Sequence, residues 1–110
     1  MKNSLKNSSE FGRVYKYGRS YANRMLIMYV CGNDLGRNRI GITVSKKIGN
    51  SVVRHRTARL IREAFRLNLQ ESNSGLDMIF VARTGIREAK YEEVREAMLH
   101  LAKLHKIIIA

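Results

Sequence analysis

The chain contains no proline, a single cysteine, and nine acidic residues against twenty-one Lys and Arg. Without proline there is no Pro-rich linker, and with no repeat or low-complexity tract the 110 residues read as one domain over 1–110. That length supports one real core and not two. The lone Cys31 excludes an internal disulfide and any cysteine-rich zinc site. Set in an apolar strand, it reads as packing, and it fits a reducing cytoplasm. No apolar run approaches the ~18 residues of a membrane span, and no signal peptide is read at the start. A cytoplasmic protein without a membrane partner is therefore expected. An apolar fraction of 45% argues against disorder throughout.

The shortage of acids is uneven. Residues 1–10 carry a net +1, residues 11–62 carry +11 with Asp34 as their single acid, and residues 63–110 balance to zero. A field concentrated in half of a small domain argues for a polyanionic partner, nucleic acid before anionic membrane. At a formal +12, self-repulsion opposes compaction, so the chain is expected to be partly unfolded in low salt and ordered by sulfate or phosphate.

The stretch Ser45–Phe65, SKKIGNSVVRHRTARLIREAF, is where that charge gathers. It reads as the end of a strand, a turn at Gly49-Asn50, and a helix with Asn50 or Ser51 as N-cap. At 100° per residue, Val53, Thr57, Leu60, Ile61, Ala64 and Leu67 share the face expected to be buried. Arg54, His55, Arg59, Arg62 and Arg66 are expected roughly opposite, with Arg56 at the edge. No carboxylate lies between Leu35 and Arg62, so these cations have no local partner. Four arginines in nine residues (54, 56, 59 and 62) repel one another without a counter-anion, and arginine suits bidentate phosphate contact. Lys46, Lys47 and the free N–H groups of the helix start add to an anion site.

Before this stretch, Asn7 and Glu10 stand at capping-box spacing ahead of a short helix carrying Phe11, Val14 and Tyr15, with Gly18 as its stop. Phe11 and Tyr15 read either as core or as a stacking surface for single-stranded bases beside basic residues. Tyr21–Cys31 reads as one long strand, with Met25, Ile27, Tyr29 and Cys31 on one face and Leu26, Met28 and Val30 on the other. Both faces being apolar, it is expected to be covered on each side. Gly32–Asn38 has the composition of a hairpin connection to a returning strand, Arg39–Ser45. Gly41 and Thr43 leave one face of that strand thin, a place for close approach. Gln70–Gly75 reads as a polar turn, Leu76–Arg83 as a third strand, and Thr84–Lys90 as a loop. Tyr91–Lys106 reads as a last helix, acidic early and basic late, with Val94, Ala97, Met98, Leu101 and Leu104 as its apolar stripe. Ile107–Ala110 is too short to assign.

No self-sufficient active site is legible. His55, His100 and His105 have no cysteine or carboxylate at ligand spacing, and His100 and His105 read as exposed helix residues. No Ser-His-Asp or Cys-His arrangement stands out. A protein-only nuclease needs clustered carboxylates for two metals, and the sequence lacks them.

Taken with their spacing, Ser45-Lys46-Lys47, Gly49-Asn50, Val53-Arg54-His55-Arg56 and Arg59-Leu60-x-Arg62-Glu63 strongly resemble the signature of the protein subunit of bacterial ribonuclease P. Phe11-x-x-Val14-Tyr15-x-x-Gly18 and Tyr91-x-Glu93 are similar to further parts of that family, and the resemblance spans roughly residues 3–106. It implies an α+β domain in the order α-β-β-α-β-α with a small mixed sheet. The implied fold is similar to the second domain of ribosomal protein S5, with a left-handed βαβ crossover, against the usual rule. It also implies removal of the 5′ leader from precursor tRNA by a catalytic RNA. Mg2+ would be held mainly by that RNA and the substrate, and no active site or small-molecule substrate would belong to the protein. By position, Lys46, Lys47, Asn50, Arg54, His55, Arg56 and Arg59 would meet the catalytic RNA. Phe11, Tyr15, Ile27, Tyr29 and Arg62 would receive the single-stranded leader. The alternative is a plain basic RNA-binding protein, such as a ribosomal component or RNA chaperone, with no nuclease partner.

Two positions depart from the family pattern. His55 stands where the family usually has asparagine, so RNA affinity is expected to rise as the pH falls through the region where histidine protonates. Affinities at pH 8 and 6, with His55→Asn as reference, check this. Ala58 stands where many members have lysine, so one phosphate contact is expected to be missing or supplied by Arg59 or Arg62.

Overall fold

A computed structural model describes residues 3–72 and 75–107. Along the chain these form α1 (Ser8–Tyr17), β1 (Arg19–Ala22), β2 (Leu26–Gly32), β3 (Arg39–Thr43), α2 (Ser51–Asn68), β4 (Leu76–Ala82) and α3 (Tyr91–Leu104). Short 3-10 turns at Lys46–Ile48 and Thr84–Ile86 precede the two long helices. The order read from the sequence holds, with one strand added.

That strand comes from dividing Tyr21–Cys31. Asn23 accepts from the Met25 and Leu26 amides through Oδ1 (3.1 and 3.0 Å), and this side-chain turn folds β1 back on β2 in register Arg19↔Val30 to Ala22↔Ile27. Met25, expected on the Ile27 face, lies in the turn and is buried in the main core. The sheet order is β1-β2-β4-β3, antiparallel except for the parallel pair β3/β4. The expected hairpin between β2 and β3 is therefore absent, because β4 lies between them. The cause is burial: Asp77 through Phe80, with Ala82, are all buried, so β4 needs neighbours on both edges and a layer on both faces.

α2 and α3 cover one face of the sheet. Their core joins Leu26, Met28, Met78 and Phe80 to Ile61, Ala64, Phe65, Met98 and Leu101, with the Phe65 and Phe80 rings 6.5 Å apart. The buried line of α2 is Thr57, Ile61, Ala64 and Phe65. Leu67, expected there, is exposed, since it lies about 120° from Ile61 around the helix. α1 covers the other face only in part, through Leu5, Val14, Phe11 and Ile79. β2, the strand expected to be covered on each side, thus has α2 and α3 over one face and α1 over part of the other. A helix of ten residues is too short, and Ile27, Tyr29, Thr43 and Val81 stay partly exposed.

Asn7 caps α1 by accepting from the Glu10 amide (2.9 Å). His105 is not the exposed residue expected. It caps the end of α3, donates from Nε2 to the Met28 carbonyl (2.8 Å) and meets the Tyr21 ring edge-on at 4.8 Å. Ile107 is buried. Of the segments read above, residues 73–74 of the Gln70–Gly75 turn and 108–110 of the tail lie outside the described residues.

Candidate nucleic-acid interface

Asn50 is the N-cap of α2, with Oδ1 accepting from the Val53 amide (3.0 Å) and its carbonyl from the Arg54 amide (2.9 Å). Lys46 and Lys47 stand exposed on the turn that leads into this cap, and His55, Arg59 and Arg62 are exposed along the helix. Among the described residues none of Lys46, Lys47, Arg54, Arg56, Arg59 and Arg62 takes part in an ion pair; Arg66 does, with Glu63. The middle of α2 is therefore an uncompensated cationic surface, as expected.

Arg54 is the exception to the expected outward face. It stands seven residues before Ile61, two turns that return it to within about 20° of the buried line. It is half-buried, and its Nε is enclosed without a hydrogen-bond partner among the described residues. A groove of about 320 Å³ opens beside it, lined by Ile42, Val44, Ser51, His55, Ala58 and Arg62. A buried donor without an acceptor is costly to the fold. Arg56, at the helix edge, donates from Nη2 to the Ala89 carbonyl (3.2 Å).

The second patch is aromatic and lies on the α1 side of the sheet. The Phe11 ring sits over Gly41, where an added Cβ would come within 2.7 Å of it. The thin face read from Gly41 is thus occupied by close approach. Tyr15 meets Tyr29 edge-on with ring centroids 4.9 Å apart, lies 6.5 Å from Phe11, and shares a hydrogen bond with Thr43 Oγ1 (3.3 Å). Ile27 follows on the same face of β2, partly exposed. Phe11 packs with the smaller core, and Tyr15, 41% exposed, presents a ring to solvent.

A charged cluster invisible in the sequence holds this patch in place. Arg39 makes two parallel bonds to Asp77 (Nε to Oδ1 and Nη2 to Oδ2, both 2.9 Å) and a third from Nη1 to Glu10 Oε2 (2.8 Å). Burial acts to raise the Asp77 pKa, but the Arg39 bonds, with help from Asn33 and Arg13, hold it below the usual aspartate range. Glu10 is also lowered, first by the Lys6 amide that it accepts from, while Asp77 raises Arg39. This joins α1 to the paired strands β3 and β4 and so aims Phe11 and Tyr15.

Phe11, Tyr15, Ile27 and Tyr29 are thus brought together, and Arg62 is not among them. It lies on the α2 side of the sheet, beside Ile42 and Val44. The two patches adjoin across the edge strand β3, which shows Thr43 to the aromatics and Ile42 to the groove. The N-terminal segment pairs with that edge only at Ile40 (Leu5 N to Ile40 O, 2.8 Å), and no described residue pairs with the edge at Ile42–Val44.

No three His, Cys, Asp or Glu side chains cluster as a metal site among the described residues, and no described helix is long and apolar enough to cross a membrane. Fold and surface together define a class: a small basic α+β protein that carries a cationic helix beside a partly exposed aromatic sheet face. The family model described as Ribonuclease P matches residues 1–106. The chain is 63% identical to the ribonuclease P protein component of Lachnoclostridium phytofermentans over 98% of its length and 93% of the relative's. It is 48% identical to that of Alkaliphilus metalliredigens, over 96% of each chain. The solved ribonuclease P protein of Staphylococcus aureus superposes with a TM-score of 0.88 at 34% identity, covering 96% of this chain and 97% of that one. That of Thermotoga maritima superposes at 0.80 with 27% identity, over 88% and 92%. This chain belongs to the ribonuclease P protein family.

Proposed function

We propose that the chain is the protein component of a bacterial ribonuclease P ribonucleoprotein, the RNA-based endoribonuclease that removes the 5′ leader from precursor tRNA. The observation that carries this reading is the continuity of two surfaces across the edge of β3: the cationic side of α2, without ion pairs among the described residues, and the half-exposed aromatic face. A phosphate backbone suits the first and splayed single-stranded bases suit the second. Lys46, Lys47, Asn50, Arg54, His55, Arg56 and Arg59 meet the catalytic RNA. Phe11, Tyr15, Ile27 and Tyr29 receive the leader, and Arg62 takes a leader phosphate from the far side of β3.

The protein contributes binding and not bond cleavage. Its acids near these surfaces are already engaged, Glu10 and Asp77 by Arg39 and Glu63 by Arg66, and they do not fit a metal-holding role. Mg2+ belongs to the RNA and the substrate, and no step is assigned to it through this chain. The reaction takes place in the cytoplasm. By holding the leader, the protein favours precursor over mature tRNA and supports metal binding only indirectly.

Precursor-tRNA cleavage at low magnesium tests the reading, with protein alone, a bacterial ribonuclease P RNA transcript alone, and both together. Efficient cleavage at the 5′ junction only by the combination is the expected result. A protein that binds the transcript with steep salt dependence yet adds nothing to cleavage belongs to the plain RNA-binding class. Cleavage by the protein alone overturns both.

A further inference from the structure

We propose that Arg87 is a positioning residue for the RNA-binding end of α2, an inference that rests on the reading that Lys46, Lys47 and Asn50 meet RNA. Arg87 follows the Thr84–Ile86 turn, some forty residues away in sequence. Its Nε donates to the Ile48 carbonyl (2.9 Å) and its Nη2 to the Lys47 carbonyl (2.8 Å). The planar guanidinium fork matches two successive carbonyls, which a lysine ammonium cannot do in the same way.

The segment held is weakly fixed by its own bonds. Lys46–Ile48 is a single 3-10 turn closed by Ile48 N to Ser45 O (3.1 Å), Ser45 gives no side-chain cap, and Gly49 follows. Ile48 and Ile86 are buried beneath the two turns, and Arg56 returns the link from α2 to the Ala89 carbonyl (3.2 Å). Two arginines thus tie the 84–90 segment to the start of α2 in opposite directions. With Nε and Nη2 engaged by main chain, Arg87 acts through the lysines: it orders their backbone before RNA arrives and so removes that ordering cost from binding.

The test is the affinity of the full chain for a bacterial ribonuclease P RNA transcript across a salt series, for wild type, Arg87→Gln, Arg87→Lys and Lys47→Gln. Arg87→Gln is expected to bind about tenfold more weakly with an unchanged slope of log affinity against log salt, and Arg87→Lys to recover part of the loss. Lys47→Gln, which removes a phosphate contact, is expected to lower the slope by roughly 0.7–0.9. Amide exchange in Arg87→Gln should quicken at Ile48 while Met78–Phe80 stays protected. An equal fall in slope for Arg87→Gln would make Arg87 itself a phosphate contact and overturn the proposal. Unchanged affinity, or faster exchange throughout the sheet, would overturn it too. Lys47→Gln with neither affinity nor slope altered would instead sink the reading on which the proposal rests.

Discussion

Arg39 and Asp77 face each other in register on the parallel strands β3 and β4 and are joined by two bonds of 2.9 Å, with Asp77 almost wholly buried. The third bond of Arg39, to Glu10, carries the link up to α1. The pair therefore sets where the aromatic helix sits on the sheet.

Removing one partner of a buried pair leaves the other uncompensated, so Asp77→Ala is expected to cost about 3 kcal/mol or more in urea denaturation. Because the native Asp77 pKa is depressed, its contribution is present above the ordinary aspartate pKa and is lost as the pH falls through the native value. Wild-type stability should accordingly drop steeply below about pH 4. A variant with an equally steep acid limb would contradict this role.

His105 provides a second dependence at higher pH. Burial first, then the charge of Arg19, lowers its pKa, against the opposing bond to Met28. The folded state favours the neutral ring, so the stability it gives is complete above the ordinary histidine pKa of about 6.5 and declines as the pH falls through the lower native value. Thermal melts between pH 7.5 and 5 should show this decline, and His105→Gln should flatten it.

Gly41→Ala would drive a methyl group into the Phe11 ring, whose nearest atoms stand 2.7 Å from that point. A loss of about 1–3 kcal/mol is expected as the ring and α1 shift. Leader discrimination should fall with it, measured as the ratio of precursor to mature tRNA affinity of the assembled holoenzyme. An unaltered ratio would mean that the position of Phe11 does not matter to the leader.

Arg54→Met and Tyr29→Ala should separate the two surfaces. The methionine replaces an enclosed, unpartnered donor with apolar atoms, so folding stability is expected to hold or rise by about 1 kcal/mol while affinity for the RNA subunit falls. Tyr29→Ala should leave RNA assembly intact and weaken precursor binding about tenfold, the scale of one stacked base. Equal losses from both variants in both assays would merge the surfaces.

The cations of α2 that have no ion-pair partner among the described residues give the self-repulsion read from composition a location. Circular dichroism should show helix content rising with sulfate at constant pH and approaching saturation as the anion fills the native state. A flat titration would show that the fold needs no counter-anion.

Much of this protein was determined by local sequence alone. Asn7 and Asn50 cap their helices because a short side-chain oxygen reaches an N–H two or three residues on, a purely local geometry. The acid-free run from Leu35 to Arg62 makes the cationic side of α2 inevitable once the helix forms. Tertiary structure decided the rest. Asn23 broke one apolar strand into two, and β4 entered between β2 and β3, because the most buried strand takes the middle of a sheet wherever it stands in the chain. Arg54 turned inward because helix azimuth, unlike composition, depends on which face the sheet claims. Arg39 found Asp77 thirty-eight residues away, and Arg87 found the Lys47 and Ile48 carbonyls across a gap of about forty. Such partners are set by the closing of the fold, and no periodicity or spacing in the sequence announces them.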